Sequence, residues 1–431
     1  MIMIRESALV VVSLVLAIVM WLFVQSVFIP HQLQEAAATN RPRGLLSDLY
    51  PRWYGARELL LHHRDPYGPD ITLEIERGYY GRELNSALPG DPKDKQAFAY
   101  PIFVVFFLAP TLSQPFGKVQ TGFYWLLIGL TVLSIPLWAS LAQMRMTFLL
   151  TIAIILIVIG SFQFIQGLKL QQLTLLVAPL LAIALALLMR GQLLTAGAIL
   201  AIALIKPQLS LPLAAWLLVW TVGDFKRRWR LAAGFLLATS ILMAGSEVIL
   251  SGWLTKFYLA VLDYRRYTGG ESIPVMFLGR SLGALLEGML IGCCLVLSWR
   301  LRKHEGTSRE FAAMAALILS VTVVIIPMVA LYNQVLLLLP MFVIWRARAV
   351  LWAPGKTSRT LLATAGAWCA WPWIGALLVL IAKTFEPSWA LRSAWSVPLS
   401  SMLGFPLLVT MVILLNWRRL NDYSPTSEPT R

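Results

Sequence analysis

Charge is what this sequence has little of. Only 13% of its 431 residues are Asp, Glu, Lys or Arg, against about 25% in an ordinary soluble domain. By contrast, 58% are hydrophobic and the mean hydropathy is +0.72. A water-soluble globule is excluded, and the chain reads as a polytopic membrane protein. Cysteine is equally scarce: Cys293, Cys294 and Cys369 fall inside apolar runs without metal-ligand spacing. They read as small hydrophobes, not as a metal site. A glycine-rich nucleotide loop is missing, and so is a paired-aspartate metal motif in a credible setting. Asp91 and Asp94 of "GDPKD" read as solvated residues of an exposed turn. No repeat of fixed period is visible, and the polar tail "NDYSPTSEPTR" is expected to be disordered.

What is present is apolar sequence in long runs. Stretches suited to a hydrocarbon layer of roughly 30 Å fall at 7–29, 98–112, 122–141, 147–165, 173–189, 193–222, 231–250, 278–299, 311–331, 335–345, 361–381 and 397–417. They predict an all-α bundle of about 12 transmembrane helices, the second and tenth being short.

The formal net charge of +15 would suit nucleic acid, but its placement argues otherwise. With the N-terminus in the cytoplasm, every dense cluster falls on one side: Lys226 to Arg230, Arg300 to Arg309, Arg346 to Arg359, and Arg418 with Arg419. This is the positive-inside pattern, so both termini are expected in the cytoplasm of a cell-membrane protein. Only Arg5 precedes the first run and no small-residue cleavage site follows it, so it reads as an uncleaved anchor. The chain divides into one transmembrane unit, 1–417, and a cytoplasmic tail, 418–431. Two extracytoplasmic loops stand out, at 30–99 and 251–277.

The first loop is far longer than a connection needs to be, and it is rich in Tyr, Leu and Trp. Within "SDLYPRWYGARELLLHHRDPYG", Leu49, Trp53, Ala56 and Leu60 recur at helical spacing. Pro51 fits the first turn, Arg52 and Glu58 fall on the opposite face, and "RDPYG" is a turn. An interfacial helix is predicted, with Asp48 at its leading end either as its cap or as a chemical group.

Three further polar intrusions stand out. Lys206 of "LIKPQLSLP" lies in the sixth run, where a charge costs at least about 2.5 kcal/mol. It either faces a cavity from a helix kinked at Pro207 or snorkels from the turn between two shorter helices. Gln163, Gln166, Gln171 and Gln172 bracket Lys169 at a helix junction, either lining a cleft or joining helices. Asp263, Arg265 and Arg266 alternate with Tyr258, Tyr264 and Tyr267, a pattern that anchors a protein in headgroups or serves a lipid-linked phosphate.

These pieces in this order resemble the family 87 glycosyltransferases, polytopic enzymes of the GT-C type that use polyprenyl-phosphate-linked mannose. The matching segments are "SDLYPRWYGARELLLHHRDPYG", "FAYPIFVVFFLAP", the Gln-containing junction followed by "IKPQ", "RRWR", and "LYNQVLLLLPM". The chain departs from the pattern at Ile102, where the family often has a second Pro, and in "MFLGRSLGAL", where it often has an Asn-Gln-Ser type motif. It departs again at Asn333, where many members have His.

The resemblance implies an inverting transfer of a hexose, with mannose the expected sugar, from polyprenyl phosphate to a glycolipid or glycan acceptor outside the membrane. It selects Asp48 as general base. Lys206, Arg265, Arg266, Arg52 and Arg57 are the candidate phosphate ligands. Trp53, Tyr54, Tyr100, Gln171 and Asn333 are the candidate sugar or acceptor contacts. Neither a metal nor another cofactor is expected, since a lipid monophosphate needs no ion to neutralise a diphosphate. The competing class is a transporter or lipid flippase, which would explain Lys206 and Pro207 but leaves the long first loop without a purpose.

Overall fold

The computed structural model describes residues 2–38, 46–88, 90–352 and 355–422; positions 39–45 and 89 of the first loop and 423–431 of the tail lie outside the described residues. Among the described residues the chain is helical, with no strand. Five helices, Glu6–Ala38, Phe116–Leu141, Phe225–Ile249, Ile273–Leu301 and Lys356–Phe385, are long and apolar enough to cross a bilayer, and the bent pair Phe148–Ile159 and Phe162–Lys169 makes a sixth candidate. Shorter apolar helices stand among them: Thr174–Met189, Leu193–Ile205, Pro207–Gly223, Leu331–Arg346 and Phe405–Leu415. The chain is a multi-pass helical membrane protein.

The centre of the bundle is the helix Arg309–Ile325. Every residue from Phe311 to Val324 is buried, as expected of a helix that is apolar all round. It packs against Ile273–Leu301, Pro207–Gly223, Phe405–Leu415 and the helix that follows it. Ser308 caps its start, accepting from the Phe311 N–H at 3.1 Å, and Glu310 adds an acidic residue to the first turn.

Three of the apolar runs differ from the straight spans expected of them. The run 98–112 forms only the five-residue helix Val104–Leu108 and a 3-10 turn. Pro101 and Pro110 each remove a backbone donor from the ladder, so this segment packs as an irregular wedge instead. The run 147–165 is broken by a 58° bend. Gly160 sits at the break, where a Cβ would lie 2.4 Å from the Ala17 backbone, and Ser161 caps the second piece.

The run 193–222 reverses at Lys206. Trp220 and Leu188 both pack around Gly306, whereas Lys206 meets Gln172 and Thr174. Pro207–Gly223 therefore runs alongside Thr174–Met189 in the same direction. Leu193–Ile205 starts where Thr174–Met189 ends, so it climbs toward Lys206, and the chain then descends.

The Lys/Arg clusters gather at the lower end of these helices. Arg228 donates to the carbonyls of Trp220, Arg302 and His304. Arg346 donates to Ala142 and Leu420, and Arg419 to the Ser358 hydroxyl. Thr174–Met189 has 16 residues and so separates that end from Gln172 by about 24 Å.

At the opposite end the first loop folds into two helices, Leu49–His62 and Pro69–Tyr80. The expected polar face of the first is not open. Glu58 is only 6% exposed and is paired with Arg64 at 2.9 Å. Leu59, not Leu60, completes the buried stripe of Leu49, Trp53 and Ala56, because the helix is packed on two sides by Pro69–Tyr80 and Val104–Leu108. The second loop is also ordered, as the helix Trp253–Thr268 between Gly252 and Gly269, both at positive φ, where glycine carries no steric penalty.

Candidate active site

Asp48 occupies the N-cap position of Leu49–His62, yet its side chain makes no capping hydrogen bond. Its carboxylate is engaged elsewhere. Gln172 Nε2 donates to one oxygen and the Tyr79 hydroxyl to the other, the latter at 3.2 Å. The Asp48 N–H donates to Leu170 O at 3.0 Å, tying the loop to the helix junction.

That junction is a tight turn with Gln171 at φ 49, an uncommon conformation for a residue with a side chain. The turn sends two consecutive glutamines to different work. Gln171 Oε1 accepts from the Ser47 hydroxyl at 2.6 Å and its amide reaches Gln120 O, while Gln172 turns to Asp48. Tyr79 comes from Pro69–Tyr80, and burial first, then the Asp48 charge, pushes its phenol up from the ordinary range. It therefore stays a neutral donor.

Gln172 also faces Lys206. The Lys206 ammonium donates to Gln172 Oε1 at 3.1 Å and to Thr174 Oγ1 at 2.8 Å, and Thr174 in turn donates to Asn333 Oδ1 at 2.8 Å. A continuous chain of hydrogen bonds thus runs from Tyr79 and Asp48 through Gln172, Lys206 and Thr174 to Asn333. Lys206 is held by its place between a 3-10 turn and Pro207, the first residue of the next helix, and by the Tyr332 ring 4.9 Å from its ammonium. At 5% exposure it does not snorkel. It has three donors, of which two go to the protein.

Asp48, Gln172, Lys206, Tyr332 and Asn333 border a cavity of about 700 Å³, in the range that takes a small ligand. Three basic side chains, Arg52, Lys206 and Arg265, and two carboxylates, Asp48 and Asp94, line it together with Tyr100 and Asn333. The Arg52 guanidinium lies 4.3 Å from the centre of the Tyr100 ring, an attractive cation–π contact. The remaining wall is apolar and aromatic, with Leu254, Phe257 and Val261 coming from Trp253–Thr268.

Other residues singled out from the sequence lie elsewhere. Trp53 is in the core at 3% exposure, and Arg57 lies over its ring at 5.6 Å. The Tyr54 hydroxyl donates to Glu74 at 2.7 Å, part of a brace in which Arg64 bonds Glu58, Asp70 and Glu74. Arg266 pairs with Asp263 on an exposed surface. Gln171 fixes the turn beside the cavity without lining it, and Gln172 takes its place there.

Asp94 is the reverse case. Neither acidic residue of the turn expected there is simply solvated: Asp91 is tied to Arg82 and to the Asn85 N–H with its side chain 3% exposed, and Asp94 faces the cavity. Burial pushes its carboxyl up. Tyr79, Asp94 and Tyr332 were not selected from the sequence. The nearest signal for Tyr79 and Asp94 is the density of Tyr and Asp between 65 and 100.

Such a cavity offers a carboxylate with oriented oxygens, cations within the same walls, and apolar surface leading away. It suits proton removal beside a growing negative charge. Among the described residues no group of three His, Cys, Asp or Glu side chains is arranged to hold a metal.

A family model for glycosyltransferase family 87 matches residues 98–329, more than half of the chain. The matched segment contains Tyr100, Gln172, Lys206 and Arg265, whereas Asp48 precedes it. No curated protein and no solved structure matches the chain.

Proposed function

From the premise that the chain belongs to glycosyltransferase family 87, we propose that it moves a hexose, mannose in our reading, from a polyprenyl-phosphate donor to a glycolipid or glycan acceptor. The transfer is inverting and takes place at the extracytoplasmic face. The observation that carries this reading is the Gln172 bridge, which joins the Asp48 carboxylate and the Lys206 ammonium within one cavity.

Asp48 accepts the proton of the acceptor hydroxyl as that oxygen attacks the anomeric carbon. The bond from the anomeric carbon to the phosphate oxygen breaks, and its electron pair leaves with the polyprenyl phosphate. The leaving group gains one negative charge, which Lys206, with Arg52 and Arg265, is placed to stabilise. Tyr79 and Gln172 orient the two Asp48 oxygens, so positioning supplies much of the effect. One phosphate is within the reach of side-chain cations, and the mechanism calls for no metal.

The Lys/Arg-rich end, opposite the cavity, faces the cytoplasm by the positive-inside rule. Both termini are cytoplasmic on this reading. Twelve crossings result when the broken and short helices are each counted as spans and the 98–112 wedge is not.

The test is product formation by the purified protein from polyprenyl-phosphomannose with candidate glycolipid and glycan acceptors. Asp48→Asn should lower turnover by about 10²–10⁴-fold. Absence of product with every lipid-phosphate sugar in the wild type, or full activity in Asp48→Asn, would sink the reading.

A further inference from the structure

An inverting transfer needs one carboxylate to accept a proton, and the cavity has two. Asp94 is the one the proposed chemistry leaves unused. It sits in a turn of its own making: the Gln96 N–H donates to Asp94 Oδ1 at 2.9 Å and the Gln96 side-chain amide to Oδ2 at 3.0 Å. Gln96 itself is at φ 54, a conformation rarely adopted by a residue with a side chain. The Tyr80 hydroxyl holds the Asp94 carbonyl at 2.7 Å.

An ionised carboxylate has about four acceptor sites. Two are occupied by Gln96, so two remain, one on each oxygen. These sites cannot take a phosphate, because like charges repel at close range. They take hydroxyl donors. Gln96 and Tyr264 share the cavity wall with Asp94, adding an amide and an aromatic ring, which are the polar and flat surfaces a pyranose presents groups to. Charge therefore divides the cavity into Lys206 for an anion and Asp94 for a neutral polyol.

We infer that Asp94 is the sugar-reading residue of the cavity, a carboxylate that accepts hydrogen bonds from pyranose hydroxyls and so decides which sugar is held. The inference rests on the proposed transfer and goes beyond it, because Asp94 takes no part in the proton step. The pyranose is either that of the donor or that of the acceptor. A site built to bond hydroxyls discriminates strongly against ligands lacking them, because its polar groups are then left without partners.

The experiment measures binding to the full-length protein in lipid nanodiscs, for wild type, Asp94→Ala and Asp94→Asn. The donor arm compares polyprenyl-phosphomannose with bare polyprenyl phosphate. The acceptor arm titrates methyl α-mannoside in the presence of bare polyprenyl phosphate. In one arm the wild type should gain roughly tenfold or more in affinity from the sugar, since bonds to a charged group contribute about 1.5–3 kcal/mol.

Asp94→Ala should lose that gain while binding bare polyprenyl phosphate within about twofold of wild type, which also reports an intact fold. Asp94→Asn, which keeps one acceptor oxygen, should fall between. Retention of the gain by Asp94→Ala in both arms overturns the role of Asp94. So does a wild type that binds bare lipid phosphate but is indifferent to sugar in both arms, and that result leaves the phosphate reading standing. A wild type that binds neither lipid sinks the donor reading and the role of Asp94 with it.

Discussion

Lys206 and Arg228 are both buried cations, 5% and 4% exposed, at opposite ends of Pro207–Gly223 and its neighbour. Arg228 lies 3.9 Å from the Trp220 ring centre and donates to three backbone carbonyls at 2.7–2.9 Å, those of Trp220, Arg302 and His304. These carbonyls lie where helices end or have just ended, the region in which carbonyls run out of helical partners, and that of His304 accepts from the Trp220 indole N–H as well. Lys206 bonds two side chains and faces a cavity. The same cost of burying a charge is thus met in two ways, and what separates the cation given a structural role from the one proposed to act on a phosphate is the kind of partner, not the depth.

The largest expected effect would come from reversing that assignment at Lys206. Lys206→Met keeps the length of the side chain and removes its charge. Turnover should fall by about 10²–10³-fold, the usual loss when a donor to a developing negative charge is removed. Thermal stability should stay near wild type, because relief of a buried charge offsets two lost hydrogen bonds.

Arg228→Met should do the opposite. Four carbonyls lose a hydrogen bond, those of Trp220, Arg302, Lys303 and His304, and the fold should lose about 3 kcal/mol while the rate per folded molecule stays within about twofold of wild type, read together with the melting curve. A Lys206→Met protein that melts early but transfers sugar normally would erase the distinction.

A third charged group sharpens the comparison by being half exposed. The Arg64 hydrogen bond to Glu74 holds that carboxyl below the usual range, against the opposing effect of partial burial. The brace therefore contributes stability in full above the ordinary Glu value of about 4.3, and this is lost as pH falls through the lowered folded value. The acid limb of a thermal-stability profile should accordingly flatten in Glu74→Gln. An unchanged acid limb would show that the brace, like most exposed ion pairs, contributes little.

The legible parts of this molecule were those with a one-dimensional signature. Long apolar runs and the one-sided Lys/Arg clusters gave the membrane class, and the loop helix followed from Leu49, Trp53 and Ala56 with Pro51 in the first turn. Breaks were harder to read. Nothing local in "AIALIKPQLS" tells whether a proline kinks a helix or begins a new one; the reversal at Lys206 depends on packing against Thr174–Met189.

The site was half legible for the same reason. Asp48 and Lys206 stood out because charge is rare beside apolar sequence, but Gln172 differs from Gln171 only through a turn at positive φ. Asp94 carries no signal in "GDPKD" that separates it from Asp91. Tyr54 and Arg57 share the helix with Asp48 yet point toward the brace and the core, since a helix carries successive residues about 100° apart around its axis.

The smallest predicted effect tests whether the cation-rich end is structural throughout. Ser308 lies at that end, where its hydroxyl accepts from Phe311 N–H and starts the central helix. It is far from the cavity, which the same helix meets only beyond its other end, at Ile326. Ser308→Ala should cost about 1 kcal/mol of stability, the usual value of a serine cap, and leave turnover unaltered. The rate matters more than the melting point here. Because Phe311 to Val324 are packed on all sides, a fault at the cap can reach the cavity only by shifting the whole helix. A fall in turnover larger than the loss of folded protein would therefore mean that the two ends are mechanically coupled, and that the cations of the lower end act on the chemistry of the upper one.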